Sequence, residues 1–251
     1  MSVYLGSTLT GLNNDREINL DNYINVIQRK GTVTSINYLT NLTSIGAYAF
    51  YDWDDLALTS LPSGITSIGN SAFYSCYNLA LTSLPSGITS IGTYAFYNCT
   101  NLALTSLPNG ITTIPSYAFR GCTNLALTSL PNNLTSIENY AFQNCVNLAL
   151  TSLPSGVTSI GANAFYWCSR LTTLDIPSGV TKINTYTFVG CTNLKTMYLR
   201  STSLVTLSNT NAFTNVTGLT IYVPSDLVSS YQTATNWTTL YSNGQVTFEA
   251  I

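Results

Sequence analysis

Hydrophobic positions along this chain recur with one long period. The unit from Leu79 to Asn101 reads LALTSLPSGITSIGTYAFYNCTN. Phe50, Phe73, Phe96, Phe119, Phe142, Phe165 and Phe188 are each 23 residues apart, and Phe213 follows after 25. Cys76 to Cys191 and Pro62 to Pro177 keep the same interval. Self-similarity of this kind is the signature of a stacked solenoid. About eight units run from Val33 to Asn215.

Each unit is predicted to make one coil. Leu79 to Leu84 reads as a first strand, and Pro85-Ser86-Gly87 as a turn. Gly64, Gly87, Gly110, Asn133, Gly156 and Gly179 share one position. Asn tolerates positive φ better than other side chains, so a left-handed backbone is expected there. Ile88 to Ile91 alternates as a second strand. Tyr94 to Cys99 reads as a short helix, with Asn70, Thr93, Ser116, Asn139 and Thr185 as N-caps. On that helix Ala95, Phe96 and Cys99 share the inward face. No coil can bury its apolar side alone, so neighbours must stack.

The ends differ from the middle. Residues 1–32 hold six of the 18 charges and read as an N-terminal cap; residues 33–218 are the solenoid. Residues 219–251 break the repeat and read as a C-terminal cap. There Ile221-Tyr222-Val223 is expected to form a strand, Pro224 to Trp237 a helix and Val246 to Phe248 a strand. A stack with only Arg120 and Glu138 charged between Leu56 and Cys168 needs such caps against end-to-end aggregation.

Composition narrows the function. Charged residues are 7% of the chain and the net charge is −2, which gives no basic surface for nucleic acid. No apolar run approaches a membrane span, so no membrane insertion is expected. Met1 to Gly11 is not a basic segment followed by an apolar one, so no secretory signal is expected in the chain. There is no histidine. That removes Ser-His and Cys-His nucleophile pairs and His-based metal sites. Carboxylates are nearly absent from the repeats, where a hydrolytic pair would have to sit. The expectation is no enzyme, no cofactor and no metal.

The motif I-T-S-I-G-x-x-A-F-x-x-C-x-N-L, at Ile65 to Leu79 and again at Ile88 to Leu102, resembles the BspA-like (Treponema pallidum-type) leucine-rich repeats. The tail from Ile221 to Trp237 is similar to the terminal segment often found in that family. The resemblance implies a leucine-rich-repeat solenoid, mixed β with short helices, in a right-handed stack. It also implies a surface protein that binds host proteins or other cells. The segment Leu171 to Pro177, LTTLDIP, departs from the LALTSLP of most units, so a local shift in the first strand is expected.

Several residue sets invite a functional reading beside a structural one. The six cysteines share one inward position and read as buried free thiols in a small-residue ladder. Asn78, Asn101, Asn124, Asn147 and Asn193 read as a buried amide ladder tying coils together. Two threonine ladders, through Thr59 to Thr151 and Thr66 to Thr158, are explained by strand propensity and cross-strand pairing. Asp52 to Asp55 reads as a solvated acidic turn.

The outward helix face is the main candidate. Tyr48, Ser71, Tyr94, Tyr117, Tyr140, Asn163 and Tyr186 lie two before each Phe. Tyr51, Tyr74, Tyr97, Arg120, Gln143, Tyr166 and Val189 lie one after. A tyrosine ladder could simply shield the core. Variation from coil to coil is also where a non-periodic partner could be read, and Tyr and Trp suit recognition. The candidate ligand-binding residues are therefore Tyr74, Tyr77, Tyr94, Tyr97, Tyr117, Arg120, Tyr166 and Trp167. The expected role is a non-enzymatic binding or adhesion module contacting a surface protein or glycan of a host or microbe. The expected location is extracellular or at the cell surface. The alternative is a structural or decoration subunit of a phage particle or surface layer, located on a virion. An acidic first coil and basic last coils add an expectation of weak head-to-tail self-association.

Overall fold

The computed structural model describes residues 34–37 and 40–251, plus the backbone of three short N-terminal strands. Those strands are β1 (Ser2–Tyr4), β2 (Glu17–Asn19) and β3 (Asn25–Val26), paired antiparallel in order. Most of the expected N-terminal cap lies outside the described residues.

The rest is a solenoid of about nine turns. Each coil contributes a two-residue strand at the Ser-Ile or Thr-Ile pair: β4 (Ser44–Ile45), β5 (Ser67–Ile68), β6 (Ser90–Ile91), β7 (Thr113–Ile114), β8 (Ser136–Ile137) and β9 (Ser159–Ile160). These pair in parallel with like residues opposite like, Ile68 facing Ile91 for example. The ladder breaks between β6 and β7. In unbroken coils the residue after Ile donates to the isoleucine of the coil before, as from the Gly69 N–H to the Ile45 carbonyl at 2.8 Å. Pro115 holds that position after β7 and has no N–H to give.

The C-terminal coils are built differently. A four-residue strand, β10 (Thr173–Ile176), precedes β11 (Lys182–Ile183), and β12 (Thr196–Leu199) precedes β13 (Thr206–Leu207). β14 (Leu219–Val223) and β15 (Val246–Ala250) complete a four-stranded parallel sheet in the order β10-β12-β14-β15. The expected first strand at Leu79 to Leu84 is absent. In LALTSLP the buried leucines are Leu102, Leu104 and Leu107, with Thr105 and Ser106 both exposed between them. Two outward residues in succession break the alternation a strand requires. In LTTLDIP, Leu174 and Ile176 point in on either side of Asp175, and the strand forms.

The expected helix is also absent. Tyr48, Ser71, Tyr94, Tyr117, Tyr140, Asn163 and Tyr186 all have positive φ, between 52° and 61°. So do Asp52, Ser75, Asn98, Gly121, Asn144, Trp167 and Gly190, four residues further on. Left-handed residues twice in each segment forbid a right-handed helix. Amides alternate instead. Ala49, Tyr51 and Trp53 donate three residues back within the coil, while Tyr48, Phe50 and Asp52 donate to the next coil. The residues expected as N-caps also bridge coils: Oδ1 of Asn70 accepts from the Thr93 N–H at 3.0 Å, and Oδ1 of Asn139 from the Ala162 N–H at 2.8 Å.

The glycines after each proline are not left-handed, contrary to expectation. A Cβ at Gly110 or Gly156 would stand 3.0 Å from a carbonyl oxygen of the preceding coil. Close approach between coils, not backbone sign, favours glycine there.

Eight phenylalanines, Phe50 to Phe213, stack along the core with ring centroids 5.2 to 5.7 Å apart. Beside them all six cysteines are free and buried. Each thiol donates to a phenylalanine carbonyl of the preceding coil, as from Sγ of Cys99 to Phe73 O at 2.9 Å. Burial pushes the thiols of Cys99, Cys122, Cys145, Cys168 and Cys191 up, to about 12 at Cys191. Trp53 and Val216 occupy the cysteine position in the first and last coils, and both are buried.

The tail closes the stack with polar groups aimed at the last coil. Two short helices, α1 (Val228–Thr233) and α2 (Trp237–Ser242), replace the single expected one, with Asn236 between them at φ 65°. Trp237 packs 5.7 Å from Phe213, and its Nε1 donates to the Val205 carbonyl at 2.8 Å. The Val205 N–H donates to the Tyr231 hydroxyl at 2.9 Å. Backbone groups left open by the end of the repeat are satisfied by side chains.

Candidate functional site

The left-handed turns carry one of two tyrosine columns. A non-glycine residue at positive φ is uncommon, and a bulky one is an outlier that costs roughly 1–2 kcal/mol. Tyr94, Tyr117 and Tyr140 nonetheless occupy that conformation in three successive coils, their rings stacked 4.4 and 4.5 Å apart. The parallel column runs Tyr51, Tyr74, Tyr97, at 4.6 and 4.5 Å. Tilted contacts of 6.3 Å from Tyr74 to Tyr94 and 5.7 Å from Tyr94 to Tyr97 join the columns.

Arg120 ends the second column. Its guanidinium lies 5.1 Å from the Tyr97 ring and 5.9 Å from the Tyr117 ring, so it caps one column and touches the other. No carboxylate pairs with it among the described residues. The next residue in its column, Gln143, has a buried Oε1 without a hydrogen-bond partner. Burial, then the neighbouring Tyr97 and Tyr51 phenols, hold Tyr74 above the ordinary phenol range. Burial and Tyr94 do the same for Tyr117.

Five of the eight candidate residues therefore form one ribbon: Tyr74, Tyr94, Tyr97, Tyr117 and Arg120. Ring faces in it are covered by neighbouring rings, so hydroxyls and edges are what it displays. Tyr77 stands exposed beside Tyr74. Tyr166 and Trp167 make no ring contact with the ribbon among the described residues. Trp167 belongs to the other left-handed column, where Asp, Ser, Asn and Gly are otherwise found.

Other sets resolve as scaffold. The hydroxyls of Thr66 and Thr135 donate to carbonyls of the preceding coil at 3.0 Å. The Asn ladder is more exposed than expected: Asn78, Asn101, Asn124 and Asn193 lie at the surface. Asn78 and Asn193 still donate to the Asp54 and Ser169 carbonyls, each at 2.8 Å. Trp53 is buried against Phe50, so the acidic turn offers no exposed indole.

Sequence reasoning missed one surface feature. On the outer face of the four-stranded sheet, Arg200 forks onto Asp175 at 2.8 to 3.1 Å and lies 4.7 Å over Tyr198, which stacks 5.0 Å from Tyr222. Loss of the uniform repeat after Leu171 was the available signal.

The family model for the BspA type leucine rich repeat region matches six copies, over residues 24–148 and 112–239. The chain belongs to this family. Among solved structures it is similar to a leucine rich cell surface protein from Faecalibacterium prausnitzii A2-165, at 24% identity and TM-score 0.50, covering 89% of this chain and 76% of that one. It is likewise similar to the leucine rich repeat protein of T. pallidum, at 24% identity and TM-score 0.51, covering 93% and 94%. These likenesses concern the fold. No curated protein matches the chain. Among the described residues no helix is long and apolar enough to cross a membrane.

Proposed function

We propose that this solenoid is a non-enzymatic binding module at a cell surface, and that the tyrosine–arginine ribbon contacts a protein partner. The observation that carries this reading is the ribbon itself. Bulky residues are held in a costly backbone conformation in successive coils, beside a guanidinium without an acidic partner among the described residues. Strain retained at a surface points to use of that surface. Aromatic rings and arginine are the residues most enriched at interface hot spots. With their faces already stacked, the rings offer hydroxyls and edges, which suit a protein surface better than a sugar ring seeking an open face. Family membership and the surface origin in the name of the F. prausnitzii protein support the location.

The test is binding to an array of extracellular host and bacterial surface proteins. Binding by the native chain that falls by about tenfold or more in the Tyr97→Ala/Arg120→Ala double variant supports the ribbon. A Thr105→Ala/Ser106→Ala control, altered at the exposed bend, is expected to bind normally. Equal binding by the native chain and the ribbon variant refutes the assignment.

A second reading is a structural subunit that assembles with its own kind. It rests on β15, which pairs with β14 on one side and lies at the edge of the four-stranded sheet. Unpaired strand edges template addition. A mass by light scattering that stays monomeric at high concentration and low salt would end this reading.

A further inference from the structure

The last coil and the C-terminal tail meet at a joint. A cleft of about 590 Å³ opens there between the 3-10 turn Thr210–Phe213 with the segment after it, and helix α2. Its volume falls in the range of small-molecule sites. The lining is neutral throughout. Asn211, Asn215, Thr217, Thr239, Asn243 and Gln245 supply amides and hydroxyls over the buried side chains of Val216 and Leu240.

Most of that polar capacity is unused by the protein. Among the described residues no hydrogen bond engages the Asn215 amide or the Thr217 and Thr239 hydroxyls. Asn243 spends its Oδ1 on the Gln245 N–H, leaving its Nδ2 free. Gln245 spends Nε2 on the carbonyls of Phe213 and Val216, at 2.6 and 2.9 Å, which leaves Oε1 as an acceptor. Lys195, beside the cleft, donates its ammonium to the Thr217 carbonyl.

Trp167 is the second, independent observation. Left-handed turns of its column otherwise carry Asp52, Ser75, Asn98, Gly121, Asn144, Gly190 and Asn215, all small or short polar residues. Trp167 adopts φ 59° there and remains 47% exposed. Its indole is seated over Gly190 in the next coil, where a Cβ would stand 2.8 Å from the ring. The Gly190 N–H in turn donates to the Thr214 carbonyl at 2.9 Å, and Asn215 follows. A strained, exposed indole therefore sits two rungs, ~10 Å, from a wall of the cleft. Between them lies a glycine whose missing side chain gives the indole its seat. Tyr186 flanks the same path: it is exposed, and its hydroxyl accepts from Nδ2 of Asn211 at 3.5 Å.

We infer that this cleft and Trp167 together bind a neutral oligosaccharide. Uncharged amides and hydroxyls match a polyhydroxylated ligand, and the Lys195 ammonium beside them is engaged by the Thr217 carbonyl. The indole offers an apolar platform for a second sugar residue, and the separation favours a short chain over a single ring. This site does not use the tyrosine–arginine ribbon, so the two assignments fail separately.

Titration of the full chain with cellotetraose, mannotetraose and chitotetraose, against an oligogalacturonate of the same length, tests the inference. Trp53 and Trp237 are buried, so change in tryptophan emission reports Trp167. One neutral tetrasaccharide is expected to shield the indole from acrylamide quenching. Its affinity is expected to drop by about tenfold in Asn215→Ala/Asn243→Ala, which keeps the reporter, and in Trp167→Ala, read by calorimetry. Tyr97→Ala/Arg120→Ala is expected to leave it unchanged. The inference is overturned if no neutral tetrasaccharide shields the indole at millimolar concentration. It is equally overturned if only the oligogalacturonate binds, or if the Asn215→Ala/Asn243→Ala variant binds as tightly as the native chain.

Discussion

Five coils carry LALTSLP between Leu56 and Pro154, and the next carries LTTLDIP at the same place and the same length. The first set bends at an exposed Thr-Ser pair and forms no strand, only isolated bridges such as that from Ser152 to Asp175. The second opens a sheet that runs through β12 and β14 into the tail. One position accounts for the difference. The middle leucine stands two residues after the first leucine in the repetitive coils, and three after it in the C-terminal coil. The later position restores alternation with the last apolar residue. The repetitive coils are therefore joined by side-chain columns, turn amides and two-residue strands, and the C-terminal coils by a second, longer sheet as well.

The strongest way to break the repetitive half is to interrupt its core column. Phe119→Ala is expected to cost ~3–5 kcal/mol, because no neighbour in a stacked column can collapse into the gap. Chemical denaturation read by tyrosine fluorescence checks this, and a loss below ~1 kcal/mol would show that the stacked rings are not the main support. Next in size is Gly161→Ala. A Cβ there would stand 2.4 Å from the Asn139 backbone nitrogen, and overpacking of this kind costs ~1–3 kcal/mol. The same substitution at Gly218, with nothing within 4 Å, meets no contact and only its positive φ opposes it, so the smaller loss is expected there.

The comparison can be sharpened by converting one kind of coil into the other. Exchanging the residues at positions 104 and 105 (Leu104→Thr with Thr105→Leu) moves the middle leucine to the C-terminal spacing. Slower amide exchange around Ser106 is expected, and unchanged exchange would mean that spacing alone does not set the strand. The smallest effect is that of pH. Thiols of the cysteine column from Cys99 to Cys191 are raised by burial, to about 12 at Cys191 from an ordinary value near 9. A raised thiol adds stability that is complete below pH ~9 and lost as pH climbs toward the folded value, because only the unfolded chain then releases protons. Thermal midpoints are expected to fall between pH 9 and 12, and to fall less when four central cysteines are replaced by alanine.

How much was legible depended on which force set each feature. Phe96, Cys99 and Leu102 were readable as core because burial repeats with the sequence period. The helix over Tyr94 to Cys99 was not excluded by propensity. What excludes it is the pairing of every second amide with the next coil, a constraint that exists only once coils are stacked. The glycine two residues after the proline is not left-handed as its asparagine substitute suggested; the neighbouring coil's carbonyl, which no local stretch of sequence contains, is what favours it. Of the candidate surface, the tyrosine columns were visible from spacing, while the role of Arg120 as the link between them required their geometry. The cleft residues Asn211, Asn215, Thr239 and Asn243 come from separate elements and leave no common pattern to read. Trp167 did leave one, as the single bulky residue in a column of small polar ones.

The sequence by itself determined the period, the inward columns, the absence of histidine chemistry and the family. Those follow from which side chains leave water, and that choice is written in composition and spacing. The tertiary structure decided the backbone path of each coil, the joining of tyrosines and Arg120 into one ribbon, and the cleft beside the tail. Each of these depends on hydrogen bonds and close contacts between one coil and its neighbour, which no local stretch of sequence contains.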